Sequence, residues 1–200
     1  MDFQTIILCS LFVFLAFVVR GLTGFGSGPV MVPLMLLLLD IKLVVPTAAV
    51  HAVLTGFLLF FTFQTRKYVR KDVLFLLFPG GILGLMIGTY VLASFDSKLL
   101  KIVFGLSIMG LSLKILFERE ELKKEVKNYV GLVAGLIGGI AGGIFSTGGP
   151  PVIIYLNRKI KEKEVIRATL VFYFLLHDVW RMIFYGYAGL ISVHPETLIY

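Results

Sequence analysis

The sequence predicts an all-α polytopic membrane protein of two inverted-topology repeats, each starting with a broken helix and half-helix hairpin. Three observations carry that prediction. The chain of 200 residues is 58% hydrophobic and only 16% charged, with a mean hydropathy of +0.95. A soluble domain is about half apolar and about a quarter charged, so this much apolar surface calls for lipid as well as a core. Several apolar runs reach the ~20 residues that a helix needs to cross a ~30 Å hydrocarbon layer. Finally, two runs are interrupted by glycine and proline, as GLTGFGSGP at 21–29 and GGIFSTGGPP at 142–151.

The first apolar run, 5–20, has no basic segment before it and no small-residue cleavage pattern after it. It predicts a retained helix rather than a signal peptide. Cys9 lies in this run and is the single cysteine of the chain, which excludes an intrachain disulfide framework. The run at 30–39 follows the first interruption and would make only ~15 Å of helix, too little to cross. It predicts a half-helix opening at Pro29, because proline suits a position whose N–H has no partner. Spans are predicted at 44–63, 73–92 and 98–117. The order then restarts with a helix at 129–145, a half-helix at 150–157 opening at Pro150, and a span at 165–187. Between the two sets, EREELKKEVK (118–127) has Glu–Lys spacing suited to a cytoplasmic helical linker.

Sliding the sequence over itself by 121 positions places Gly21 on Gly142, Gly28 on Gly149 and Pro29 on Pro150. A shift of one more residue puts Thr47 on Thr169, His51 on Tyr173 and Thr55 on His177. The chain therefore divides into a first repeat (1–118), a charged linker (119–128) and an incomplete second repeat (129–200). A full second repeat calls for two more helices beyond residue 195, or for a partner surface in their place. The net charge of +7 is a topology signal rather than a nucleic-acid signature. The loops at 64–72, 118–128 and 158–167 hold four, four and five Lys/Arg, against Lys42 and Lys98 in the loops of the other side. The positive-inside rule makes the first three cytoplasmic and the N-terminus external, provided that each broken pair leaves the membrane on the side it entered. The repeats then have opposite orientations, a transporter architecture with its site where the breaks meet.

Candidate site residues follow from this plan. Helix starts offer unpaired N–H groups and a partial positive charge. Glycine lets an anion approach the backbone, and serine and threonine add hydroxyl donors. Gly24, Gly26, Ser27, Gly28 and Pro29 in the first break, with Ser146, Thr147, Gly148, Gly149 and Pro150 in the second, form the candidate anion site. The alternative is that these glycines only allow close helix packing. Arg20, at the edge of the first break, either attracts substrate or snorkels from a helix end. Thr47, His51 and Thr55 form one stripe at i, i+4, i+8, and Thr169, Tyr173, His177 and Arg181 form a second. The two stripes suggest two walls of one pathway, with His51 or His177 as a proton carrier or, more simply, as an interhelical hydrogen-bonding group. Asp178 and Arg181, at i, i+3, predict a local ion pair.

RGLTGFGSGPVMVP and GGIFSTGGPPVIIY carry a family resemblance. Through Gly21, Gly24, Phe25, Gly26, Gly28 and Pro33, and through Gly142, Gly143, Gly148, Gly149, Pro150 and Tyr155, the chain resembles the sulfite exporter TauE/SafE family. The resemblance implies membrane permeation or export of small anions such as sulfite, sulfonates or related organic acids. Other chemistries lack their motifs: there is no HExxH, no phosphate-loop lysine and no strand pattern around the glycines. The expectation is a secondary transporter in the cell membrane, with no metal and no cofactor. Its partners would be a small anion and the bilayer, with no nucleic acid, and a homo-oligomer stays open. A passive anion channel, a membrane-embedded enzyme and a structural subunit are the alternatives.

Overall fold

The computed structural model describes residues 3–62, 67–117 and 126–191, and these hold eight helices and no strand. Helix α1 (Phe3–Thr23) and the half-helix α2 (Ser27–Met35) flank the first interruption. Helices α3 (Ile41–Thr62), α4 (Lys71–Ser94) and α5 (Ser97–Phe117) follow. Then come α6 (Tyr129–Phe145), the half-helix α7 (Gly149–Lys159) and α8 (Lys163–Tyr187). The sequence of helix, break, half-helix and long helix thus occurs twice. Of the linker at 119–128 only the last three residues are described, and the second repeat is described to residue 191.

Among the described residues, three helices have both the length and the apolar composition to cross a membrane: Gln4–Thr23, Ile41–Thr62 and Lys71–Ser94. Helix α8 has 25 residues, enough for ~38 Å, yet carries Asp178 and Arg181 well inside its length. Such charges are tolerated in a membrane helix only when they face the protein interior or a wet cavity, and both are buried here. Along α1 and α4, by contrast, Leu11, Phe14, Leu22, Phe75, Leu83 and Tyr90 are exposed, as a lipid-facing surface requires.

Both half-helices begin slightly before their prolines. α2 starts at Ser27 and α7 at Gly149, so Pro29 and Pro150 lie inside the first turn instead of opening it. The physics is unchanged, because no N–H of the first turn has a partner inside the helix.

The tightest packing joins the two halves of the chain. Gly80, Gly84 and Gly88 of α4 lie against the backbone of α6 at Leu132, Leu136 and Ile140. Gly135 and Gly139 of α6 lie reciprocally against Leu77 and Gly81 of α4. A Cβ at any of these five would meet a carbonyl oxygen at a distance no real side chain adopts. Small residues every fourth position let membrane helices reach van der Waals contact along their backbones. The four-residue spacing is visible in the sequence, but spacing alone does not pair α4 with α6.

Two apolar clusters sit on either side of the interruptions. One gathers Met31, Val32 and Met35 of α2 with the start of α3, Leu92 near the end of α4, and Tyr185 near the end of α8. The other gathers Val152, Tyr155 and Leu156 of α7 with Val73, Leu74 and Leu77 at the start of α4, and Leu170 of α8. The half-helices therefore run into opposite ends of the bundle, the arrangement that an inverted repeat requires. Polar side chains collect between these clusters.

A candidate anion site between two broken helices

The first break is made by backbone that glycine alone adopts at ease. Gly24 and Gly26 have φ of 83° and 95°, in the left-handed region where a Cβ is strained. The Thr23 hydroxyl lies within donating distance of the carbonyls of Val19 (2.8 Å) and Phe25 (2.6 Å), and its one proton fastens the turn to the end of α1 through either. The second break turns at Ser146, whose φ of 57° is the one positive value at a non-glycine among the described residues. Its N–H donates to Gly142 O at 3.0 Å, and that of Thr147 donates to Ala141 O at 3.4 Å. The two breaks touch: the Gly28 backbone lies against the Ser146 carbonyl, with no room for a Cβ between them.

A cavity of about 40 Å³ opens where they meet, enough for about three waters at ~10–15 Å³ each, or for one small anion. Arg20, Gly26, Ser27, Gly28 and Pro29 line it from the first break, and Ser146, Gly148 and Gly149 from the second. Helix α8 adds His177, Asp178 and Arg181. The Arg20 guanidinium is not at a surface, as a snorkelling side chain would be, but only 4% exposed. It donates from Nη1 to Ser27 Oγ (3.1 Å) and from Nη2 to Asp178 Oδ2 (3.2 Å). Arg181 Nη2 holds the other carboxylate oxygen at 2.9 Å. The local Asp178–Arg181 pair expected from the sequence is thus present, but Asp178 also bridges to a residue 158 positions away. No pattern in a single sequence announces that second contact.

Helix-end electrostatics favour an anion here. The last carbonyls of the broken helices are covered by donors from α8. Arg167 Nη2 reaches Gly21 O (2.6 Å), Arg181 Nη1 reaches Gly142 O (3.3 Å) and the Tyr185 hydroxyl reaches Gly143 O (2.7 Å). Among the described residues, no side-chain cap covers the first N–H groups of α2 and α7, whose N-cap residues are Gly26 and Gly148. What remains open to the cavity is therefore the positive end of each half-helix.

The other expected residues lie elsewhere. Thr47, His51 and Thr55 do not form a wall of this cavity. Each bonds back along α3, to the carbonyls of Leu43 (2.8 Å), Thr47 (2.9 Å) and His51 (2.7 Å). Thr47 and His51 face a separate, mostly apolar groove against α1, where the His51 ring sits 5.8 Å from that of Phe17. Gly24 packs under Arg167 and Val171. Thr147 and Pro150 are adjacent to the lining without belonging to it. Tyr173 stacks on His177 at 5.7 Å, with its hydroxyl beside Gly81. The equivalent stripes of α3 and α8 thus line different spaces. Equivalence under the repeat fixes a helix's place, but its neighbours decide which face meets the cavity.

The family model described as Sulfite exporter TauE/SafE matches residues 9–199. The chain belongs to this family. Comparisons with curated proteins and with solved structures gave no match. As a TauE/SafE protein it is a membrane transporter of the sulfur-anion class. Both glycine–proline interruptions of this TauE/SafE chain fall within the matched residues, as does all of the charged lining.

Proposed function

We propose that the chain is a secondary transporter that exports sulfite, a sulfonate or a related organosulfur or organic acid across the cell membrane, and that it performs no enzymatic reaction. The cavity at the two breaks is its binding site. The observation that carries this reading is the buried set of Arg20, Ser27 and Arg181 between two uncapped half-helix starts. Arg20, Gly26, Ser27, Gly28, Pro29, Ser146, Gly148, Gly149 and His177 are its lining, with Asp178 and Arg181. Transport follows from rocking of the two repeats about the contact between Gly28 and Ser146, which exposes the cavity to each side in turn.

Flux of sulfite and of small sulfonates in liposomes holding the full chain tests the reading. Accumulation against the anion's own gradient, driven by an imposed ion gradient, is the expected result. Flux only down the gradient makes the protein a channel, and no flux of any of these anions removes the proposal.

Orientation is tested separately. With Cys9 replaced by serine, cysteines at Lys42, Tyr68 and Glu162 should label from outside, inside and inside respectively. Labelling of positions 42 and 162 from the same side would show that the repeats are not inverted.

A further inference from the structure

The cavity already contains an anion of its own, the Asp178 carboxylate. A site shaped only to attract anions gains nothing from it, because it repels each ligand that enters. Yet Asp178 is 4% exposed and is held by two arginines from different parts of the chain. Its effect is on charge. Two guanidiniums and one carboxylate leave a single net positive charge in the lining. The half-helix starts add only partial positive charges of about one half each, which leave the count of formal charges at one. The other lining groups add no formal charge: Ser27 from α2, Ala48 and Ala52 from α3 and Gly142 from α6, with His177 counted as the uncharged imidazole.

We infer that Asp178 sets the valence of the transported anion, so that the site takes singly charged oxyanions and turns away doubly charged ones of the same shape. The inference rests on the anion-site reading above and adds to it a rule of selection. Arg20 Nε and Arg181 Nε are both buried and have no hydrogen-bond partner among the described residues. Arg20, Arg181 and the two half-helix starts line one space of about 40 Å³, room for a single ligand head group. A second negative charge on that ligand would lie beside the Asp178 carboxylate with no third cation to offset it. Arg167, the remaining arginine of α8 near the breaks, spends its guanidinium on the Gly21 carbonyl and is not part of the lining.

The test uses methanesulfonate and sulfate, similar tetrahedral anions carrying one and two charges at neutral pH, at matched ionic strength. Binding to the purified full chain is read as the rise in melting temperature with anion concentration, since a ligand of the folded state stabilises it. The wild-type protein is expected to bind methanesulfonate at least about tenfold more tightly than sulfate. That floor is well below the roughly 1,000-fold of one charge ~4 Å away at an effective dielectric near 20, because water in the cavity screens part of it. Asp178→Asn, which keeps the shape and adds one net positive charge, should move the ratio at least about tenfold towards sulfate. Sulfate binding to the wild type as tightly as methanesulfonate overturns the inference while leaving the anion site intact. So does an unchanged ratio in a folded Asp178→Asn protein. Binding of neither anion by the wild type overturns the anion site itself. Should Asp178→Asn fail to fold, the wild-type ratio decides by itself.

Discussion

Gly28→Ala is expected to lower anion flux by roughly 100-fold, the scale on which ~1 Å of misplacement at a site acts, while Gly21→Ala leaves flux within about twofold. Both glycines belong to the same motif, and in sequence they are equal candidates. In the structure they differ. A Cβ at Gly28 would run into the Ser146 carbonyl, which is backbone and cannot swing aside, whereas a Cβ at Gly21 meets nothing within 4 Å. Overpacking of this kind costs about 1–3 kcal/mol. The whole cost falls on the contact between the two breaks, because the cavity is the gap left where they meet. Forcing them apart moves Ser27 away from Arg20 and pulls the two half-helix starts out of register. At Gly21 alanine should raise helix stability slightly, by up to about 1 kcal/mol. Anion flux in liposomes, beside melting temperature in detergent, separates lost transport from lost fold. Equal flux in the two variants would mean that the contact between the breaks has no part in transport.

Most of the architecture was legible because membrane helices announce themselves by length and apolarity. The runs at 44–63 and 73–92 became α3 and α4 within a few residues, and the helix at 129–145 has the bounds the sequence predicts. The half-helices were legible for the same reason in reverse, being too short to cross and opened by glycine and proline. What one sequence hides is the direction in which a polar face points. Thr47, His51 and Thr55 sit on an α3 whose amphipathicity is nearly nil, so nothing local sets its rotation. Packing on α8 does so instead, through Gly56 against Leu175. The Asp178 bridge to Arg20 was hidden for a related reason. Its i, i+3 neighbour Arg181 offers a complete local explanation for the aspartate, and that explanation is correct as far as it goes. Arg20 had two readings, attraction of substrate or snorkelling, and only its burial decides between them. The α4–α6 seam is a different case. Its glycines at 80, 84 and 88 and at 135 and 139 repeat every four residues, but such spacing marks a packing face without saying which helix packs on it.

Arg20→Met should fold and fail to transport, and the reason lies in how charge is shared around Asp178. Removing the aspartate leaves two buried guanidiniums facing each other, and breaking a buried ionic cluster in that way costs about 3–5 kcal/mol. Removing Arg20 is milder, because Asp178 keeps Arg181 at 2.9 Å and the remaining pair is neutral. Methionine also fills most of the space of the arginine stem. The loss of stability should therefore be clearly smaller for Arg20→Met than for Asp178→Ala, although each deletes one member of the same ion pair. Function should follow the opposite order of charge. With Arg20 gone the lining carries no net charge, and a unit charge ~4 Å from its ligand is worth about 4 kcal/mol at an effective dielectric near 20, or roughly 1,000-fold in affinity. Some of that is screened wherever water reaches the cavity, so a loss of 100-fold or more in anion binding is the expected reading. Arg20→Lys gives the internal control. It restores the charge but not the fork that reaches Ser27 and Asp178 with separate nitrogens, so binding should return in part. Melting temperatures of the three variants, with anion binding measured on the same samples, check both orders at once. An Arg20→Met protein that binds anions like the wild type would take the guanidinium out of the site and leave the half-helix starts to hold the ligand alone.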